Sequence, residues 1–142
     1  KSYNGNILWD TNNIEDERPP SNYLGHHTAL KEELSIIDNV SFWAKLSDSE
    51  KLILPALAYF QLYDKADIMV SNLSAGWKKR VALARIMATN ASLWLLDEPE
   101  TNLDKEGTNL LLDLIQIRAN NGGIIIIASH NMNLEHAIEI QL

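Results

Sequence analysis

Leu93-Trp94-Leu95-Leu96-Asp97-Glu98-Pro99 is the stretch on which the reading of this chain turns. Four apolar residues run directly into two acids and a proline. A short continuous apolar run reads as a strand buried on both faces. Pro99 has no backbone N–H and helps to end that strand. Open α/β sheets place their ligands at the C-terminal ends of their strands, where Asp97 and Glu98 would stand. Two acids there can hold Mg²⁺ through water and polarise an attacking water, which is phosphoryl-transfer chemistry. The plainer alternative is a strand end with two solvated acids, and the neighbouring segments decide between them.

Downstream, residues 99–104 read as a turn, with Asp104 capping a helix over 105–120. Asn120-Asn121-Gly122-Gly123 ends that helix with residues that tolerate left-handed backbone. Ile124-Ile125-Ile126-Ile127-Ala128 is the next strand, ending in Ser129-His130, and residues 137–142 read as a last strand. Upstream, Ser71 to Gly76 is a break before a helix from about Gly76 to Thr89. Farther back, Ser35 with Asp38 opens a helix to Leu46. Ser47 with Glu50 reads as a second cap, opening a helix through Leu52, Ile53, Leu57 and Phe60. Pro55 lies too deep in it for a first turn, which predicts a kink or a later start. Asn22 to Gly25 is a short strand, preceded by a loop over 10–21 and another strand ending at Trp9. Strands alternating with helices predict a parallel, three-layer α/β sheet, with residues 35–65 as an inserted helical unit.

Composition narrows the function classes. At 142 residues the chain is long enough for a real core. A net charge of −7 argues against general nucleic-acid binding, which wants a basic face. The absence of cysteine excludes disulfides and thiolate metal sites. No apolar run approaches the ~20 residues of a membrane span. The adjacent pair His26-His27 is expected to point apart on a strand, so a structural zinc site is not expected.

Leu73-Ser74-Ala75-Gly76 adds an anion site. A serine and two small residues at a helix start leave backbone N–H groups open, where the helix dipole favours negative charge. Lys78, Lys79 and Arg80 in the first turn oppose that dipole and would help only if an anion docked nearby. One helix, a turn and a strand separate Ser74 from Asp97. A second helix and strand separate Asp97 from His130. In a parallel sheet those strand ends reach one edge.

Leu73-Ser74-Ala75-Gly76-Trp77 resembles the signature motif of ABC-transporter ATPases. Leu93 to Glu98 resembles their Walker B strand, Thr101-Asn102-Leu103-Asp104 their D-loop, and Ser129-His130 their switch histidine. The four stand in the family's order and at its spacing. Tyr23-Leu24-Gly25-His26-His27, Leu30 to Leu34, and Asn39-Val40-Ser41-Phe42-Trp43 are similar to the haem-exporter branch that serves cytochrome c maturation. The resemblance implies a P-loop NTPase fold of the ABC ATPase type, with ATP and Mg²⁺ as cofactors. It implies that Asp97 holds Mg²⁺ through water, that Glu98 orients or deprotonates the attacking water, and that His130 contacts the γ-phosphate. Ser74, Ala75 and Gly76 would bind the γ-phosphate of a nucleotide held mainly by a second subunit, and Asp104 would link the two sites across that dimer. His26, in the place of the family's Q-loop glutamine, would reach water or metal-bound phosphate. The implied partners are a second ATPase subunit and membrane permease subunits, with the protein peripheral to the cytoplasmic face of the inner membrane.

The sequence departs from the family in three places. Trp77 stands where most signatures have glutamine; it stacks at the dimer face or simply packs. His26 replaces the Q-loop glutamine, as it does in the haem-exporter branch. No G-x-x-x-x-G-K-[ST] is present, because none of Gly5, Gly25, Gly76, Gly107, Gly122 and Gly123 falls in such a loop. The family places that loop upstream of the strand ending at Trp9, so the chain is expected to be a partial domain. Residues 1–142 alone are expected to lack ATPase activity and to leave an apolar flank of the sheet uncovered. Two alternatives remain at this level: an ABC ATPase with another cargo or a non-transport role, and a non-enzymatic remnant that binds an intact ATPase partner.

Overall fold

The computed structural model describes residues 20–132, 134 and 137–138. The strand expected up to Trp9 lies outside them, as does all but Ala137 and Ile138 of the last expected strand. Among the described residues, three strands form one parallel sheet: β1 (Ser21–Leu24), β2 (Leu93–Asp97) and β3 (Ile124–Ala128), in the order β1-β2-β3. Leu96 of the central strand pairs with Leu24 on one side and Ile127 on the other. Among the described residues, four α-helices accompany the sheet: α1 (Ile36–Leu46), α2 (Ile53–Tyr59), α3 (Ala75–Met87) and α4 (Lys105–Asn120).

Local chemistry sets three of the helix starts. The Ser35 hydroxyl accepts the Asp38 N–H at 3.2 Å and donates to the Asp38 carboxylate at 2.5 Å, which closes the expected cap of α1. Ser74 caps α3 through the Trp77 N–H, and Asp104 caps α4 through the Gly107 N–H at 2.8 Å. The cap expected at Ser47 is not formed. Ser47 instead terminates α1, donating its hydroxyl to the carbonyls of Trp43 and Ala44. A single 3₁₀ turn over Glu50–Leu52 follows, and α2 begins only at Ile53. That late start puts Pro55 inside the first turn, where its missing N–H has no helical partner to lose.

The core forms where α1, α2 and the sheet meet α3. Leu24, Val40, Leu57, Phe60, Leu62, Val81, Leu83 and Leu96 are all essentially inaccessible to solvent. Polar groups tie the layers together. The buried Arg85 of α3 donates to the Tyr23 carbonyl at 3.1 Å, and its guanidinium lies 4.9 Å from the centre of the Trp43 ring on α1. The Arg118 guanidinium of α4 covers the buried Trp94 of β2 at 5.3 Å. Among the described residues, Tyr23, Ile124 and Ile126 on the opposite face of the sheet are each more than half exposed.

Candidate functional site

Chemistry-bearing residues gather in two places. The first is the C-terminal end of the sheet. Asp97 is the last residue of β2, and Glu98 follows with φ at +43°, in the left-handed region that an L-residue enters at a cost of about 1–2 kcal/mol. Every backbone polar group of Glu98 is used. Its N–H donates to the Ala128 carbonyl at 2.8 Å, which joins the ends of β2 and β3. Its carbonyl accepts the Thr101 N–H at 3.2 Å and the Lys79 ammonium at 3.1 Å. The side chain is freer: the Thr101 hydroxyl reaches it only at 3.4 Å.

His130 meets Glu98 there, with Nε2 4.0 Å from a carboxylate oxygen and the ring 89% exposed. The turn that presents it is closed by Ser129, whose hydroxyl oxygen accepts the N–H groups of Asn131 and Met132 at 3.2 and 3.1 Å. The same hydroxyl donates to Glu100. Lys79 lies beneath this acid cluster with only 4% of its surface exposed. Burial pushes its ammonium below its usual range, while Glu100, Asp97 and Glu98 partly restore it.

The second place is a cleft of about 220 Å³ lined by Ser74, Gly76, Trp77, Arg80, Asn102 and Asp104. Here the turn after β2 folds over the start of α3. A side chain at position 76 would put its Cβ 2.8 Å from the Asn102 carbonyl oxygen, so the close approach requires glycine. Asn102 itself takes φ of +69°, which asparagine tolerates. Ser74 and Ala75 are exposed at the rim. Arg80 braces the cleft from below: it donates to Gln61 and to Asp104 at 2.7 Å each, and reaches Glu106 at 3.4 Å. Gln61 closes the ring by donating to Glu106 at 2.8 Å. The Gly107 N–H and then Arg80 hold the Asp104 carboxyl below the usual carboxylate range. Lys65 and Arg80 lie over the Trp77 ring, 5.0 and 4.9 Å from its centre, so this indole packs with cations.

Two sequence readings are corrected here. Lys78, Lys79 and Arg80 do not wait for an anion: Lys78 pairs with Glu32 at 2.6 Å, and the other two are buried on the partners just named. Their burial was visible in the spacing. Lys79 is followed at helical intervals by Ala82, Leu83 and Ile86, all buried, which marks it as part of the inward stripe. His26-His27 sit in a bend after β1 rather than on a strand, with their rings edge to face at 5.5 Å. The cleft at Ser74 is lined by neither Asp97, Glu98 nor His130. What the sequence reading missed was the pairing of Arg80 with Gln61 and Glu106, for which no spacing gives a signal.

The ABC transporter family model matches residues 1–101, and the chain belongs to that family. Curated relatives include the cytochrome c biogenesis ATP-binding export protein CcmA of Rickettsia bellii, 44% identical over 131 residues. That match covers 92% of this chain and 67% of the relative. The protein of the same name from Histophilus somni is 40% identical over 133 residues, covering 89% and 61%. Among solved structures, an ATP-binding subunit of an ABC transporter superposes with a TM-score of 0.73 at 22% identity, covering 79% of this chain and 49% of that one. A dimeric ATP-binding cassette in a post-hydrolysis state, bound to ADP and Pi, gives 0.71 at 22% identity, covering 80% and 53%. The chain therefore spans about two thirds or less of these relatives and about half of these cassettes, and it carries an ABC ATPase fold in part.

Proposed function

We propose that this chain is the signature-to-switch part of an ATP-hydrolysing ABC transporter subunit that powers haem export for c-type cytochrome biogenesis. The observation that carries the enzymatic reading is the meeting of Glu98 and His130 at 4.0 Å, both side chains open, at the end of a parallel sheet. The haem branch rests on the names and identities of the relatives.

The donor set suits the cofactors that the family implies. Asp97 and Glu98 stand together at the end of β2, and magnesium takes one or two carboxylates and completes its shell with water and phosphate oxygens. Asp97 is the residue that would hold it. ATP and Mg²⁺, when bound, supply the transferable phosphoryl group and the charge that neutralises its oxygens. In this reading Glu98 holds and deprotonates the attacking water, and His130 donates to the phosphoryl oxygens. Ser74, Ala75 and Gly76 offer the start of α3 to a nucleotide held by a second subunit. Asp104 stands at that subunit boundary, and His26 lies after β1 to contact water. The partners are a second ATPase subunit and membrane permease subunits, which places the protein at the cytoplasmic face of the inner membrane. The domain division follows: residues 35–65 as a helical unit toward the permease, and 73–142 as the half that carries the motifs.

The test is ATP hydrolysis by the cassette in which this chain is completed by a phosphate loop. Glu98→Gln should lower kcat by at least about 100-fold while nucleotide binding persists. Turnover that survives the substitution would remove Glu98 from the chemistry.

A further inference from the structure

We propose that Lys79 is a positioning residue for Glu98, holding the backbone of the turn from which that carboxylate projects. The inference rests on the ATPase reading above and adds to it a residue from a different element. Three observations meet at this point. The Lys79 ammonium donates to the Glu98 carbonyl at 3.1 Å. Only 4% of the lysine is exposed, so it occupies this position and is not a surface group that happens to touch it. The residue it holds has φ of +43°, a conformation that a glutamate keeps only when its surroundings impose it.

The carbonyl of Glu98 is where the turn is fixed. The N–H side of the residue is tied to β3 through Ala128, and the carbonyl side is tied to Thr101 and Lys79. Among the described residues, only the Lys79 bond comes from outside the strands and the turn itself. With it, the peptide plane after Glu98 is held from α3, and the carboxylate leaves the turn in one direction. Without it, the left-handed backbone can relax by rotating that plane. The carboxylate would then move by the ~1 Å that costs a positioned catalytic group about 100-fold in rate.

The placement of Lys79 gives the bond a second consequence. Ser74, the cap of α3, lies on the same helix, five positions earlier. The signature start and the catalytic turn of one chain are joined by one rigid element of 13 residues, although they open onto different sites.

Two measurements test this separately from the ATPase reading. In the completed cassette, Lys79→Met should lower kcat by about 100-fold with KM within about threefold, and Lys79→Arg, which keeps a donor, should recover most of it. In the 142-residue chain, amide exchange of Thr101 reports the bond without any activity, because its N–H donates to the same carbonyl. Lys79→Met should speed that exchange by about tenfold while α3 amides from Val81 to Ile86 stay protected. Unchanged Thr101 exchange in a folded Lys79→Met chain overturns the proposal, as does a Lys79→Met cassette with undiminished kcat. A parent cassette without ATPase activity defeats the ATPase reading, and the exchange measurement still decides whether Lys79 holds the turn.

Discussion

The cleft at Ser74 and the acid cluster at Glu98 are built from the two ends of the same turn, yet they are held in opposite ways. In the cleft the side chains are locked: Arg80 is buried and satisfied by Gln61, Asp104 and Glu106, and Gly76 lets the Asn102 carbonyl sit directly on α3. At the acid cluster the backbone is locked and the side chains are open. Glu98 has its N–H and carbonyl fully used, while its carboxylate and the His130 ring face solvent. The difference teaches which part does what. A surface that recognises a ligand presented from outside gains from being rigid in advance. A carboxylate and a histidine that handle water and protons need open lone pairs, so only the chain beneath them can be fixed.

Arg80→Ala should break the comparison most severely. It removes charge-assisted bonds between α3, Gln61 and the start of α4, and bares the Trp77 ring. A loss of about 2–3 kcal/mol in urea unfolding is expected, and an unchanged midpoint would show that the cleft is not braced by Arg80. At the other cluster the opposite sign is expected. Glu98→Gly relieves the left-handed backbone at +43° and should raise stability by up to about 1 kcal/mol. Destabilisation of the same size would mean that the turn is not strained at rest. The smallest effect concerns acid. The carboxyl of Asp104 is held below its unfolded value, so its contribution is fully present above the ordinary carboxylate value of about 4. It is lost as pH falls through the lower folded value. Asp104→Asn, which still caps α4, should flatten the stability profile below pH about 4 and leave it parallel to the parent at neutral pH. A profile equally steep in the variant would assign the acid sensitivity to other carboxyls.

Much of the frame is legible in the sequence. The apolar run before Asp97 and the isoleucines before Ser129 gave the two parallel strands. Ser35, Ser74 and Asp104 gave three helix starts, because a cap is a local contest between a side chain and nearby N–H groups. Ser47 was misread for the same reason. Its spacing to Glu50 fits a cap, but the end of α1 claims its hydroxyl first, and Pro55 favours a start at Ile53. The three basic residues after Trp77 were misread because charge suggests the surface, whereas the helical stripe through Ala82 and Ile86 carries Lys79 inward.

The sequence by itself determined the order of elements, the caps of α1, α3 and α4, the acids at the end of β2 and the family to which they belong. All of these depend on residues close together in the chain, where spacing alone decides who can meet whom. Tertiary structure decided that Ser74 shares a cleft with Asn102 and Asp104, that Arg80 is shared by three elements, and that a lysine of α3 holds the turn at Glu98. Those pairings join groups distant in sequence, and only the packing of α3 against the sheet and the following turn brings them within hydrogen-bond reach.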